Sequence, residues 1–104
     1  MIRVNVLYPN TAGAKFDMDY YLATHMPMVG QKLGAALKAM SVEQGISGAL
    51  PGTDPAFHVI TALTFDSVET FMQAFVPHAA EIQSDIPRFT SIAPTIQISE
   101  VKLS

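Results

Sequence analysis

The sequence contains three histidines and no cysteine. Thiolate catalysis, disulfides, Fe–S clusters and cysteine zinc sites are therefore excluded. Acid–base work near neutral pH falls first to His25, His58 and His78, because imidazole titrates there. His25 stands in the stretch "YYLATHMPM", Tyr20 to Met28. Tyr21 lies four residues before it, so on a helix the two side chains are neighbours on one face. That arrangement has two readings. In one, His25 is an acid/base group lining a cavity, with Tyr21 orienting it or donating its phenol to a ligand. In the other, His25 is a core histidine satisfied by a backbone carbonyl or a buried water, and Tyr21 is a large amphipathic core residue. Tyr20 points elsewhere on the helix, towards the surface or an interface.

No two histidines are spaced i, i+4, and none sits in a His-Glu-x-x-His motif, so a metal site requires tertiary convergence and none is expected. No glycine-rich phosphate loop follows a strand, so neither NAD nor flavin is expected as a bound cofactor. The net charge is −3 with the six Lys and Arg scattered. Nucleic-acid binding needs a concentrated phosphate-neutralising patch, and that partner class is set aside. The composition, 49% hydrophobic and 14% charged, opposes disorder and suggests an apolar surface covered by a partner. No apolar run reaches membrane-spanning length. The start "MIRVNVLYPN" lacks a signal peptide's apolar core and cleavage site. A soluble cytoplasmic protein of one domain, residues 1–104, is the expectation.

The elements that must position these residues follow from periodicity. "IRVNVLY" alternates and predicts a strand with Ile2, Val4, Val6 and Tyr8 on one face. Tyr8 ends it, where its ring packs or closes one end of a cavity. A helix begins near Asp17, a good N-cap, with Met18, Tyr21, Leu22, His25 and Val29 on one face. It runs to about Gly34, with an irregularity expected at Met26 to Met28 because Pro27 removes a backbone donor. A second strand spans Lys38 to Ser47 and a third Phe57 to Phe65. The third is apolar on both sides, as in a sheet covered on both faces. Asp66 or Ser67 caps a second helix, whose stripe is Val68, Phe71, Met72, Phe75, Ala79 and Ile82, and Pro77 falls late in it. "SDIPRFTSIAP" is a connector, held in place by Asp85 and Arg88, and "TIQISEVKL" is the last strand.

The order β-α-β-β-α-β is the ferredoxin-like arrangement, an α+β fold with both helices on one face of a four-stranded antiparallel sheet. With no further helix for the second face, a second copy of the chain is expected there, in a symmetric homodimer through the sheet faces.

The residues "LYP" (Leu7 to Pro9), "FDMDYYLATHMPM" (Phe16 to Met28), "LTFDSVETF" (Leu63 to Phe71) and "SDIPRFTSIAPTIQISEV" (Ser84 to Val101) make the chain resemble the EthD family of the dimeric α/β-barrel superfamily. The resemblance covers nearly the whole chain. It implies the dimeric barrel and a cavity between sheet and helices. The family is associated with ethyl tert-butyl ether degradation, and its members often carry the label of reductase. The wider superfamily implies cofactor-independent monooxygenase, isomerase or cyclase chemistry on a small apolar or aromatic ligand. It also holds members without established activity, so a non-catalytic binding or accessory protein with the same pocket is the alternative. His25 is the family's most recognisable polar position, in its Tyr-x-x-x-His-x-Pro setting. The expected catalytic pair is His25 with Tyr21, and the expected pocket residues are Tyr8, Met28, His58, Phe71, Phe75 and His78. His58 shares a face with Ile60 and Ala62. If that face looks at the helices it joins His25; if not, it is an interface or edge residue. His78, after Pro77, lies at the helix margin, exposed or turned to the cavity.

Overall fold

In the computed structural model, which describes residues 1–104, β1 (Ile2–Pro9), β2 (Ala39–Gln44), β3 (Phe57–Phe65) and β4 (Thr95–Glu100) form one sheet. The strand order is β2-β3-β1-β4 and every neighbouring pair is antiparallel. With its helical segments the chain takes the ferredoxin-like α+β arrangement. The second and last strands are shorter than their alternation suggests, ending at Gln44 and Glu100.

Register decides which side chains share a face. Val4 pairs with Leu63 and Ile98, Val6 with Thr61 and Ile96, and Tyr8 with Val59. Met40 and Val42 lie opposite Leu63 and Thr61. Residues directly opposite in an antiparallel ladder project to the same side, so this set makes the face beneath the helices. The other face carries Leu7, Ile60 and Ala62 among Arg3, Asn5, Ser41, Glu43, Gln97 and Ser99. It is less apolar than β3 alone suggests.

The first helical segment is continuous but not uniform. Asp17 caps α1 (Met18–Tyr20) by accepting from the Tyr20 N–H at 3.0 Å, a type of bond worth about 1 kcal/mol. A π-helical turn, Tyr21–His25, follows and passes into α2 (Met26–Leu33). The irregularity therefore lies one turn before the Met26 to Met28 expected from Pro27. The reason is that a proline ring conflicts with the carbonyl four residues back, here Ala23, and the missing N–H breaks the bond at that turn. The turn around Ala23 widens, with the Met26 N–H reaching the Tyr21 carbonyl. The extra residue rephases the helix: Tyr21, His25, Met26, Val29 and Leu33 are buried, whereas Leu22 is 51% exposed rather than on the buried face. Gly34 at φ 62 ends the segment, a backbone region that favours glycine.

Ser67 caps α3 (Val68–Phe75) by accepting from the Thr70 N–H at 3.1 Å. Pro77 converts the next turn to a 3₁₀ turn, Val76–His78, before α4 (Ala79–Ser84). Phe71 and Ile82 are buried and Phe75 partly so, whereas Val68 and Met72 are exposed. A last 3₁₀ turn, Ile86–Arg88, leads towards β4. No helix is long and apolar enough to cross a membrane.

Gly45 closes β2 beneath the loop that returns to β3. A β-carbon there would overlap the carbonyl oxygen of Phe57 and sit within 3.0 Å of the Pro55 ring. Because backbone cannot move aside cheaply, Gly45→Ala is expected to destabilise the fold by about 1–3 kcal/mol. A thermal melt should show this as a midpoint lowered by several degrees, and an unchanged melt would mean the β2–β3 hairpin is free to shift.

Candidate functional site

The π turn and the C-terminus of α4 meet over the sheet, and their meeting makes the site. His25 is only 4% exposed. A buried imidazole needs a hydrogen-bond partner, and His25 Nδ1 lies 2.8 Å from Asp85 Oδ2. Asp85 follows α4 immediately and starts the Ile86–Arg88 turn, so backbone geometry aims its carboxylate back at the first helical segment. Its other oxygen accepts from the Tyr20 hydroxyl at 2.8 Å, and Arg88 Nε lies 3.6 Å from that oxygen. The Tyr21 ring stacks on His25, 5.4 Å between centroids at 13°, and Phe89 packs on it at 4.6 Å.

This geometry has a chemical consequence. An ionised carboxylate only accepts, so in the neutral ring Nδ1 carries the proton and Nε2 keeps its lone pair. Burial raises the Asp85 carboxyl pKa. That effect is outweighed by the hydrogen bonds from His25 and Tyr20 and by the charges of His25 and Arg88, so the net position is below the ordinary carboxylate value. The Asp85 hydrogen bond is also what chiefly pushes the Tyr20 phenol upward.

His25 forms part of the wall of a cavity of about 310 Å³ between sheet and helices. Val4, Val6, Thr61, Leu63, Ile96 and Ile98 form its floor, and Tyr21, Met26, Val29, Leu33, Phe71, Phe75 and Ile82 its roof. Its polar side chains are those of Tyr8, Tyr21, His25, Thr61 and Gln83, and it contains no Lys, Arg, Asp or Glu. The volume is at the small end of ligand sites, which are typically apolar with a few placed polar groups. Exposed Met72, Val76, Ile96 and Ile98 border the cavity.

Of the residues singled out from sequence, Tyr8, Tyr21, His25, Phe71 and Phe75 come together around this cavity. Met28, His58 and His78 do not. The π turn places Met26 inward, while Met28 borders a surface groove with Thr24, Glu81, Asp85 and Arg88. His58 lies on the far face of β3 with Ile60 and Ala62, half-buried at the strand's start, its ring 5.5 Å from Phe16. His78 sits partly exposed in the 3₁₀ turn made by Pro77, outside the cavity lining. Two surface or connector assignments also change. Tyr20 braces Asp85, and Asp85 is the partner of His25 as well as part of the connector. Asp85 lies 60 residues from His25 in sequence, so the signal for it was only the one carboxylate of the connector. Thr61, Met26 and Gln83 were missed too. No three of the histidines and carboxylates converge as a metal-binding group would require.

The depressed Asp85 pKa fixes the sign of a pH effect. Asp85 contributes stability that is fully present above 3.8, the ordinary carboxylate value, and is lost as pH falls through its lower folded-state value. In urea denaturation at stepped pH, Asp85→Asn is therefore expected to show a shallower acid limb than the wild type. Identical acid limbs would show that the carboxylate is not held ionised by its partners.

The EthD domain model matches residues 11–93. Among solved structures, an EthD-like protein from Ralstonia eutropha JMP134 is similar, with 48% identity and a TM-score of 0.94 over 99% of this chain and 93% of that one. An EthD family protein from Bacillus halodurans C-125, named for ethyl tert-butyl ether, has 23% identity and a TM-score of 0.73 over 97% of this chain and 98% of that one, a likeness of fold. No curated protein matches. With the domain match spanning most of its length, the chain belongs to the EthD family.

Proposed function

We propose that this protein is a small-molecule enzyme that works without a bound cofactor on an apolar or aromatic, oxygenated compound. His25 is the acid/base group. With Nδ1 engaged by Asp85, Nε2 is the ring nitrogen left to take a proton from a ligand or return it. Asp85 holds the ring's orientation and its tautomer. Tyr20 positions Asp85, and Tyr21 braces the imidazole from its stacked face. The observation that carries this reading is the 2.8 Å contact between His25 Nδ1 and Asp85 Oδ2 at the wall of an apolar cavity. An apolar surrounding strengthens such electrostatic effects relative to bulk water. Proton transfer at one carbon or oxygen centre suits isomerisation, cyclisation or cofactor-free oxygenation. The proposed setting is degradation of ethers, xenobiotics or aromatic compounds, in the cytoplasm; the ethyl tert-butyl ether name borne by the Bacillus halodurans relative supports the first of these.

The same reading has two copies of the chain pairing through the sheet faces turned away from the helices. Leu7, Ile60 and Ala62 on that face support it. A non-catalytic binding or accessory protein using the same pocket is the second reading. It is favoured by the absence of any further ionisable acid or base, beyond His25 and the two phenols, among the cavity-lining side chains.

The test is ligand discovery by native mass spectrometry on protein from its own host, followed by turnover assays on what is captured. His25→Ala is expected to leave the dimeric state unchanged and to weaken ligand binding or turnover at least about tenfold, in line with general acid–base contributions. Turnover lost with binding intact assigns His25 to catalysis. Binding lost without any wild-type turnover favours the accessory reading. A variant that no longer folds or dimerises makes His25 structural and removes the site.

A further inference from the structure

We infer that the end of the cavity formed by Tyr8, Tyr21 and Thr61 is a subsite for an uncharged, hydrogen-bond-accepting oxygen, in particular a carbonyl, on the ligand. This rests on the reading of the cavity as a ligand site and adds the chemical class of what enters it.

The first observation is a count of protons. Tyr21 and Thr61 are each 1% exposed, and their hydroxyls are 2.5 Å apart. Two hydroxyls hold two O–H protons, and the one bond between them uses one. The Tyr21–Thr61 pair therefore keeps one O–H for a third party. The Tyr8 ring meets that of Tyr21 edge to face, 6.0 Å between centroids, on the wall of the same cavity. No other side-chain hydrogen bond involves these three groups. All three residues line the cavity. Burial first of all raises both phenols, so they stay protonated donors across the neutral range.

The second observation is that packing does not ask for these hydroxyls. Thr61 is the polar residue in the buried set Val59, Thr61, Leu63 and Phe65 of β3, where valine has nearly the same shape. Replacing both partners of a buried hydrogen bond by apolar groups of equal shape is often neutral. A polar pair retained in an apolar wall, with a proton to spare, matches what an oriented ligand oxygen needs.

The third observation sets the charge. No Lys or Arg lines the cavity, and the Asp85 carboxylate stands behind His25, so an anion finds repulsion and no counter-charge. No carboxylate faces a cation either. A neutral carbonyl accepts the free O–H without needing a counter-ion, and the aromatic pair Phe71 and Phe75, stacked at 5.1 Å, takes the apolar remainder.

Acetophenone and α-methylstyrene test this, since they have the same shape but differ by C=O against C=CH₂. Affinities are read from protein-detected NMR titrations. The wild type is expected to bind acetophenone about fivefold to tenfold more tightly, the effect of one net hydrogen bond. In the triple variant Tyr8→Phe, Tyr21→Phe, Thr61→Val the ratio should fall to about one, with α-methylstyrene binding retained. If that variant fails to fold, Tyr8→Phe and Thr61→Val separately carry the test, and at least one must lower the ratio. Equal binding of both probes to the wild type overturns the subsite but leaves the cavity a ligand site. A ratio that survives removal of the hydroxyls also overturns it and gives the oxygen to another donor on the wall, the Gln83 amide or a protonated His25. If neither probe shifts a cavity resonance, the subsite and the pocket reading fall together.

Discussion

A buried imidazole must be hydrogen-bonded, and in this protein that requirement ties the two helical segments together. His25 comes from the first segment and Asp85 from the end of the second, and they meet at 2.8 Å. Without Asp85, the ring would sit 4% exposed among Tyr21, Met26 and Phe89 with Nδ1 unpaired. Losing a buried partner costs about 1–3 kcal/mol, more where charge is involved. That is a sizeable share of the 5–15 kcal/mol by which domains are stable. Tyr20 and Arg88 add further contacts to the same carboxylate. The π turn is part of this constraint, because it presents His25 and Met26 side by side to the sheet.

Much of the fold was legible because its signals are local. β3 spans Phe57 to Phe65 as its composition indicates, and Asp17 and Ser67 cap where helix-start chemistry places them. The element order led to the ferredoxin-like sheet. Pro27 announced an irregular helix, but its position needed the point that a proline acts on the turn four residues behind it. Met28 was misplaced for that reason, since a single widened turn rotates every later residue.

The site was less legible because its completion is non-local. Tyr21 and His25 share a face by spacing alone, whereas Asp85 reaches them only after the second helical segment is folded over the sheet. The face of β3 could not be read from a strand apolar on both sides. Register settles it: Thr61 looks into the cavity, and His58 looks away. A hydroxyl in an apolar strand and a carboxylate in a connector carry little signal until the elements that gather them are in place.

The central claim is that Asp85 holds the His25 imidazole with its proton on Nδ1 and its lone pair on Nε2 at the cavity wall. Long-range ¹⁵N–¹H correlation of the histidine side chains reads this directly, because protonated and unprotonated ring nitrogens differ widely in shift. In its neutral form, His25 is expected to show a protonated Nδ1 and a bare Nε2. Asp85→Ala should release that preference. A neutral His25 with the proton on Nε2 would contradict the arrangement, since the nitrogen facing the carboxylate would then have no proton to donate.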